Sequence, residues 1–317
     1  MSTVTRPDTS GVGTRGRARE PLHRGRASWR QRLAPYVFIS PFYILFAVFL
    51  LVPILVGAYL SFTEWAGLGT PEVVGLENYT RLFGDPQFYV SLRNTLFFVL
   101  VSLVIVVPLA LLIAQALNTR GLRGRDMFRV IYFTPIVLSP IIIVLIFQLF
   151  FDKNFGLLNA ALRAVFGLGG IDWLGSPWWA RISVAILIVW RWTGYLVIFF
   201  LAGLQGVPRE LHEAAAIDGA GPVKRFFNVT LPSLRPVTAF VLVTSLVGSA
   251  QIFEEPYLLT QGGPNFATLT IGIFIYRAAF QRQEIGYGCA AGVVLFAIVF
   301  VIGQVANRLL GVGRSTA

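Results

Sequence analysis

Apolar residues in this chain come in long unbroken blocks, without the spacing of a half-exposed helix or the alternation of a strand. Six blocks stand out, at roughly 36–62, 94–118, 128–151, 181–204, 237–260 and 286–309. About 20 apolar residues in a helix cross the hydrocarbon core of a bilayer, and every block is at least that long. The pattern predicts an all-α membrane protein with six transmembrane helices. Pro53, Pro108, Pro135 and Pro140 fall inside the first three blocks, where each removes a helical donor and kinks the helix.

The gaps between blocks alternate in basic content. Eight arginines crowd the first 34 residues. Arg120, Arg123, Arg125 and Arg129 lie in the second gap, Arg209, Lys224, Arg225 and Arg235 in the fourth, and Arg308 and Arg314 at the end. The intervening gaps hold fewer, namely Arg81 and Arg93, then Lys153, Arg163 and Arg181, then Arg277 and Arg282. Lys and Arg are retained on the cytoplasmic side, so both termini are expected in the cytoplasm, together with the gap at 205–236. The outward segments 63–92 and 152–180 carry Trp65, Trp173, Trp178 and Trp179. Tryptophan favours the membrane–water boundary, and interfacial anchoring is the expected role of each.

Composition supports this picture. Hydrophobic residues make up 56% of the 317 and charged residues 13%, against about a quarter charged in soluble domains. The net charge of +11 does not imply nucleic acid, because the arginines concentrate beside the first membrane block. They read as a topology signal and a contact for anionic lipid. Residues 1–34, rich in Arg, Gly, Ser and Thr, are expected to be a disordered cytoplasmic tail, and 35–317 a single transmembrane domain. The first block is too long for a signal-peptide core and is read as a retained span. One cysteine, Cys289, and two histidines, His23 and His212, exclude a disulfide framework and make no His/Cys metal cluster.

One polar segment is unlike the other gaps: EAAAIDGAGPVKRFFNVTLPSLRP, residues 213–236. Pro208 suits a first helical position, and Glu210 suits the positive end of the helix dipole. Leu211, Ala214, Ala215 and Asp218 share a face. Gly219 is placed to end the helix at positive φ. Pro222 begins a second short helix, and Pro232 and Pro236 are expected to stop it. Two roles fit these residues: a loop lying on the lipid headgroups, or a smooth alanine face, flanked by Glu213, that another protein approaches closely.

The segment resembles the EAA motif of ABC-importer permeases. That motif is Glu-Ala-Ala, three residues, Gly, nine residues, then an aliphatic residue, any residue and Leu-Pro. Here it is Glu213-Ala214-Ala215, Gly219 and Val229-Thr230-Leu231-Pro232, with Val229 in place of the usual isoleucine. Stretches such as GLENYTRLFGDPQFYVSLRNTL (75–96), WRWTGY (190–195) and YLLTQGGP (257–264) are similar to the carbohydrate-uptake branch, in particular to the first permease of maltose transporters. The resemblance implies a permease bundle in a prokaryotic cell membrane. It also implies a second permease subunit, a cytosolic ATPase dimer, an extracytoplasmic solute-binding protein and a sugar, an oligosaccharide or related polyol. Glu213, Ala214, Ala215, Asp218 and Gly219 would form the coupling helix on the ATPase. Spacing from the motif carries substrate contact onto Arg191, Trp192, Tyr195, Ser245, Ser249 and Ile252. Gln251 is a further polar candidate beside them. Thr260–Pro264, a turn signal, would face the solute-binding protein.

The residues themselves narrow the chemistry. A phosphate-binding loop needs G-x-x-x-x-G-K-[ST]; the nearest stretch, GVGTRGRA at 11–18, lacks the Lys and the hydroxyl residue. The chain is therefore expected to be no enzyme and to hold no cofactor, with ATP and Mg bound by the partner. Arg191, Glu254 and Glu255 are ionisable residues within membrane blocks, which makes them either an ion pair or a polar path lining. An ion-gradient-driven secondary transporter would need a relay built from Glu254 and Glu255, and it leaves the motif spacing unaccounted for. A membrane enzyme would need clustered carboxylates or histidines at an interface.

Overall fold

The computed structural model describes residues 29–119, 124–167 and 170–310. Residues 1–28 of the basic tail, including the 11–18 glycine run, and Arg120, Arg123 and Arg314 lie outside the described residues. The chain divides into two compact units between Ile54 and Leu55, inside the first span. In the first unit, helix already runs from Trp29 to Phe46, so residues 29–34 are not the disordered chain expected of them. Arg, Gln and Leu are good helix formers, and they let the helix of the apolar block extend backwards.

Five described helices are long and apolar enough to cross a membrane: Pro35–Leu60, Pro86–Leu117, Pro177–Gln205, Arg235–Thr260 and Ile285–Arg308. They correspond to five of the six blocks. The block at 128–151 is instead a pair, Met127–Val137 and Pro140–Phe151, bent by 102°. Leu138 and Ser139 at the break are both extended, with ψ of 147° and 132°. The ring of Pro140 disfavours helical geometry at Ser139, and the extended Leu138 before it completes the corner. The sequence reads one kinked span here, and the structure has two apolar helices meeting at a sharp corner.

Prolines elsewhere are accommodated differently. Pro53, Pro108 and Pro232 each follow a widened helical turn, Ala47–Leu51, Ser102–Val106 and Phe226–Thr230, in which the backbone bonds over five residues. A helical proline ring presses on the carbonyl four residues earlier. That carbonyl belongs to Phe49, Val104 and Asn228, the middle residue of each widened turn. Widening moves it aside, so the helix continues. This corrects the expectation for Pro232, which does not stop the second short helix: helical backbone runs from Pro222 to Ser233.

The second unit is built around Pro177–Gln205. One face of Pro86–Leu117 lies against it, burying Phe98, Val106, Ala110, Ala114 and Leu117 with Val184, Leu187, Ile188, Leu196 and Phe200. The helix Met127–Val137 packs on the same central helix, where Gly194 makes room; a Cβ there would fall on the Tyr132 carbonyl oxygen. At the end away from the 205–236 loop, asparagine side chains hold irregular backbone. Asn78 donates to the Ser61 and Thr63 carbonyls at 3.0 and 2.9 Å, and Asn94 to those of Phe266 and Leu269 at 2.8 and 3.0 Å. Asn159 exchanges two hydrogen bonds with the Ile171 backbone and accepts one from Trp173 Nε1 at 3.0 Å. Trp173 is thereby buried in the core and is not the interfacial anchor expected, whereas Trp178 is exposed.

Gly194→Val is expected to destabilise the folded protein by about 1–3 kcal/mol through overpacking, seen as a lower unfolding temperature in detergent micelles. An unchanged unfolding temperature would show that Met127–Val137 does not rest on the central helix at this point.

Candidate functional site

The helix Arg235–Ala250 gives way at Gln251–Phe253 and resumes as Glu254–Thr260. The break exposes backbone groups that need partners, and Thr270 Oγ1 donates to the Ile252 carbonyl at 2.9 Å. It also places two carboxylates in the first turn of a helix, where negative charge is favoured, facing the middle of Pro177–Gln205.

Arg191 stands opposite. Its Nη1 donates to Glu255 Oε1 at 2.7 Å and to Glu254 Oε2 at 3.1 Å. Trp192 Nε1 donates to the same Glu255 oxygen at 2.8 Å. The side chains of Arg191 and Glu255 are 8% and 4% exposed, but that of Glu254 is 54% exposed. Arg191 and Glu255 are therefore a buried pair, desolvated together, and Glu254 is an open carboxylate at their edge. A buried ion needs a partner to offset its desolvation, so the pair fixes the elbow of the fifth span against the fourth.

The elbow roofs a cavity of about 530 Å³. All seven residues that the sequence assigns to substrate line it: Arg191, Trp192, Tyr195, Ser245, Ser249, Gln251 and Ile252. Trp192 and Tyr195 meet edge to face at 5.9 Å, and Tyr195 meets Phe199 likewise at 5.1 Å, which fixes their ring orientations. Ser249 Oγ is spent on its own helix, donating to the Ser245 carbonyl. Arg191 Nε and Ser245 Oγ are buried without a hydrogen-bond partner among the described residues, an arrangement that buried polar groups rarely tolerate. The sequence left Arg191, Glu254 and Glu255 as either an ion pair or a path lining, and in the structure they pair and also line the cavity; it did not find Ser102, Thr244 and Phe253. Ser102 comes from Pro86–Leu117, and no local signal in the sequence joins it to the other lining residues, all 86 or more positions away. Among the described residues there is no cluster of side chains suited to a metal ion.

The 205–236 loop lies at the other end of the same two spans. Its helix is Arg209–Ile217, with Pro208 as the cap and not, as the sequence suggested, the first helical residue. Gly219 has φ of 75°. The Gly219 N–H donates to the Ala216 carbonyl at 3.1 Å and the Ala220 N–H to the Ala215 carbonyl at 2.9 Å, a paired closure that requires the left-handed residue. No residue of the helix is buried. Glu213, Ala214, Asp218 and Gly219 are exposed and Ala215 is half-buried. Leu211, Ile217, Val223 and Phe227 are also exposed, giving a short rod with apolar side chains outward. At the opposite end, Gln261 and Gly262 turn the chain at φ of 51° and 82°, as the TQGGP signal led us to expect.

Two apolar helices meeting at a sharp corner, a cavity between Pro177–Gln205 and Arg235–Thr260 and an exposed capped rod on the loop joining those two helices fit a multi-pass membrane permease of the ABC-importer class. The chain belongs to the family of binding-protein-dependent transport system inner membrane components, whose pattern matches residues 106–311. It is 37% identical to the arabinooligosaccharides transport system permease protein AraP of Bacillus subtilis (strain 168), over 92% of this chain and 94% of that protein. It is 37% identical to the lactose transport system permease protein LacF of Rhizobium radiobacter, over 84% of this chain and 90% of that one. Its fold matches a chain of a bacterial ABC transporter involved in the import of the acidic polysaccharide alginate, with a TM-score of 0.79 and 27% identity over 91% of this chain and 98% of that one. A bacterial alginate ABC transporter in complex with an alginate pentasaccharide-bound periplasmic protein matches with a TM-score of 0.78 and 27% identity, over 88% of this chain and 95% of that one. The resemblance read from Glu213 to Pro232 thus identified the family.

Glu255→Ala is expected to destabilise the protein by about 3 kcal/mol, because it leaves Arg191 buried with only the exposed Glu254. Adding Arg191→Met should restore most of that loss, as measured by chemical denaturation in micelles. A double variant no more stable than Glu255→Ala alone would remove the buried pair as the tie between the two spans.

Proposed function

We propose that this chain is the translocating subunit of an ATP-driven sugar importer in a prokaryotic cytoplasmic membrane, with six spans and both termini in the cytoplasm. The cargo is an oligosaccharide or related polyol. A solute-binding protein delivers it at the end that carries Thr260–Pro264. A second permease subunit completes the path, and a cytosolic ATPase dimer, which binds the ATP and Mg, supplies the energy. The observation that carries this reading is the convergence of Arg191, Trp192, Tyr195, Ser245, Ser249, Gln251 and Ile252 on one cavity, between the two helices that the exposed rod joins.

The rod of Glu213, Ala214, Ala215, Asp218 and Gly219 sits in a groove of the ATPase. Its alanines permit close backbone approach, Glu213 offers a charge-assisted contact, and the closure at Gly219 makes it stiff enough to transmit a rigid displacement. ATP binding draws two such rods together and opens the cavity outward, and hydrolysis returns it inward. A ligand shifts such an equilibrium only by binding its two states differently, and here the groove supplies that difference. In the cavity, the Tyr195 ring offers a face for a sugar ring, and Ser245 and Arg191 Nε offer donors that hydroxyl groups complete.

Gly219→Leu forces a side chain into the left-handed region at a cost of about 1–2 kcal/mol and re-aims the rod. We expect normal abundance in the membrane but loss of substrate-stimulated ATP hydrolysis in the reconstituted complex; normal stimulation would remove the docking role. Tyr195→Ala should weaken uptake about 3- to 10-fold, the worth of one aromatic stack, while the ATPase still co-purifies. Unchanged uptake affinity would take Tyr195 out of the site.

A further inference from the structure

The charge balance of the cavity points to a substrate class narrower than sugars at large. Its ionisable lining is one cation, Arg191, against two carboxylates, Glu254 and Glu255. The cation is already spent: both carboxylates accept from its Nη1, at 3.1 and 2.7 Å. Glu255 is sealed, and its one bonded oxygen also accepts from Trp192. The unbalanced negative charge therefore rests on Glu254, which is the exposed member. The other groups facing the space are uncharged: aromatic rings, hydroxyls and the Gln251 amide.

We infer that this cavity selects neutral or amino-bearing sugars and rejects sugar acids, with Glu254 as the discriminating residue. The inference rests on the reading of the cavity as a sugar site. A uronate group entering here would leave water for a space where two carboxylates already outweigh the one guanidinium, and it would meet the open carboxylate of Glu254. Like charges in a partly buried space repel strongly. A hydroxymethyl group at the same position meets no such cost and can accept from the unpartnered Arg191 Nε or donate to Ser245 Oγ. Selectivity of this kind arises from an element built against the wrong ligand as much as from contacts to the right one. It would separate this chain from the alginate importer whose fold it shares, since that transporter carries an acidic polysaccharide.

The test is direct binding to the purified complex, without its solute-binding protein. The probes are neutral trisaccharides of arabinose, glucose, galactose and mannose, and the triuronates matched to the three hexoses, which differ from them only at C6. We expect at least one neutral sugar to bind and its uronate to bind roughly 10- to 100-fold more weakly. Glu254→Gln should close most of that gap, and Glu254→Lys should reverse it. A wild-type complex that holds a uronate as tightly as its neutral match overturns the charge inference while leaving the sugar site intact. So does a gap that Glu254→Gln leaves unmoved. A complex that binds none of the seven probes, with the variants equally silent, overturns the sugar site and the inference with it.

Discussion

Arg191 and Glu255 are held together in a place where neither would be stable alone. A lone charge at that depth has a large desolvation cost, so the two side chains move as one, and with them the segments they belong to. Arg191 lies on the helix that runs down into the 205–236 loop, and Glu255 on the short helix reached after the chain has come back up. The pair therefore closes a circuit: rod, fourth span, elbow of the fifth span and rod again. Cavity, elbow and aromatic ladder all depend on that closure. Trp192 is oriented by the same Glu255 oxygen, and Tyr195 and Phe199 follow it edge to face.

What could be read from the sequence was what depends on neighbouring residues. The rod's end was legible because Gly219 and the residues around it settle that geometry locally. The apolar blocks were legible because hydrocarbon demands length and composition and little else. The residues carried over by the spacing of the motif, and Gln251 with them, do meet at one cavity, whereas Ser102, Thr244 and Phe253 beside them carried no such signal. The corner at Leu138–Ser139 was not legible. Proline falls inside each of the first three apolar blocks, and nothing in its immediate neighbours separates a turn that widens from one that breaks.

The end of the molecule opposite the rod was the least legible. Asn78, Asn94 and Asn159 look in sequence like ordinary polar loop residues. In the fold each is a clamp on irregular backbone, 12 residues away at Ile171 for Asn159, 15 and 17 for Asn78, and up to 175 for Asn94 at Leu269. Trp173 was read as an interface residue for the same reason: a tryptophan's partner decides its depth, and here that partner is Asn159. Buried amides that each bind several carbonyls fix irregular chain as firmly as a helix fixes regular chain.

The widened turns before Pro53, Pro108 and Pro232 have a consequence for helical phase. Each holds one residue more than an ordinary turn, so everything beyond it is rotated by about 100° around the axis. In the second span this happens at Ser102–Val106, and the stripe of side chains that meets the fourth span changes its repeat there. A face drawn with one constant period from Asn94 to Asn118 would put the wrong residues inward over half its length. The proline thus acts as a phase shifter, setting which side of the lower helix is apolar core and which is lipid-facing.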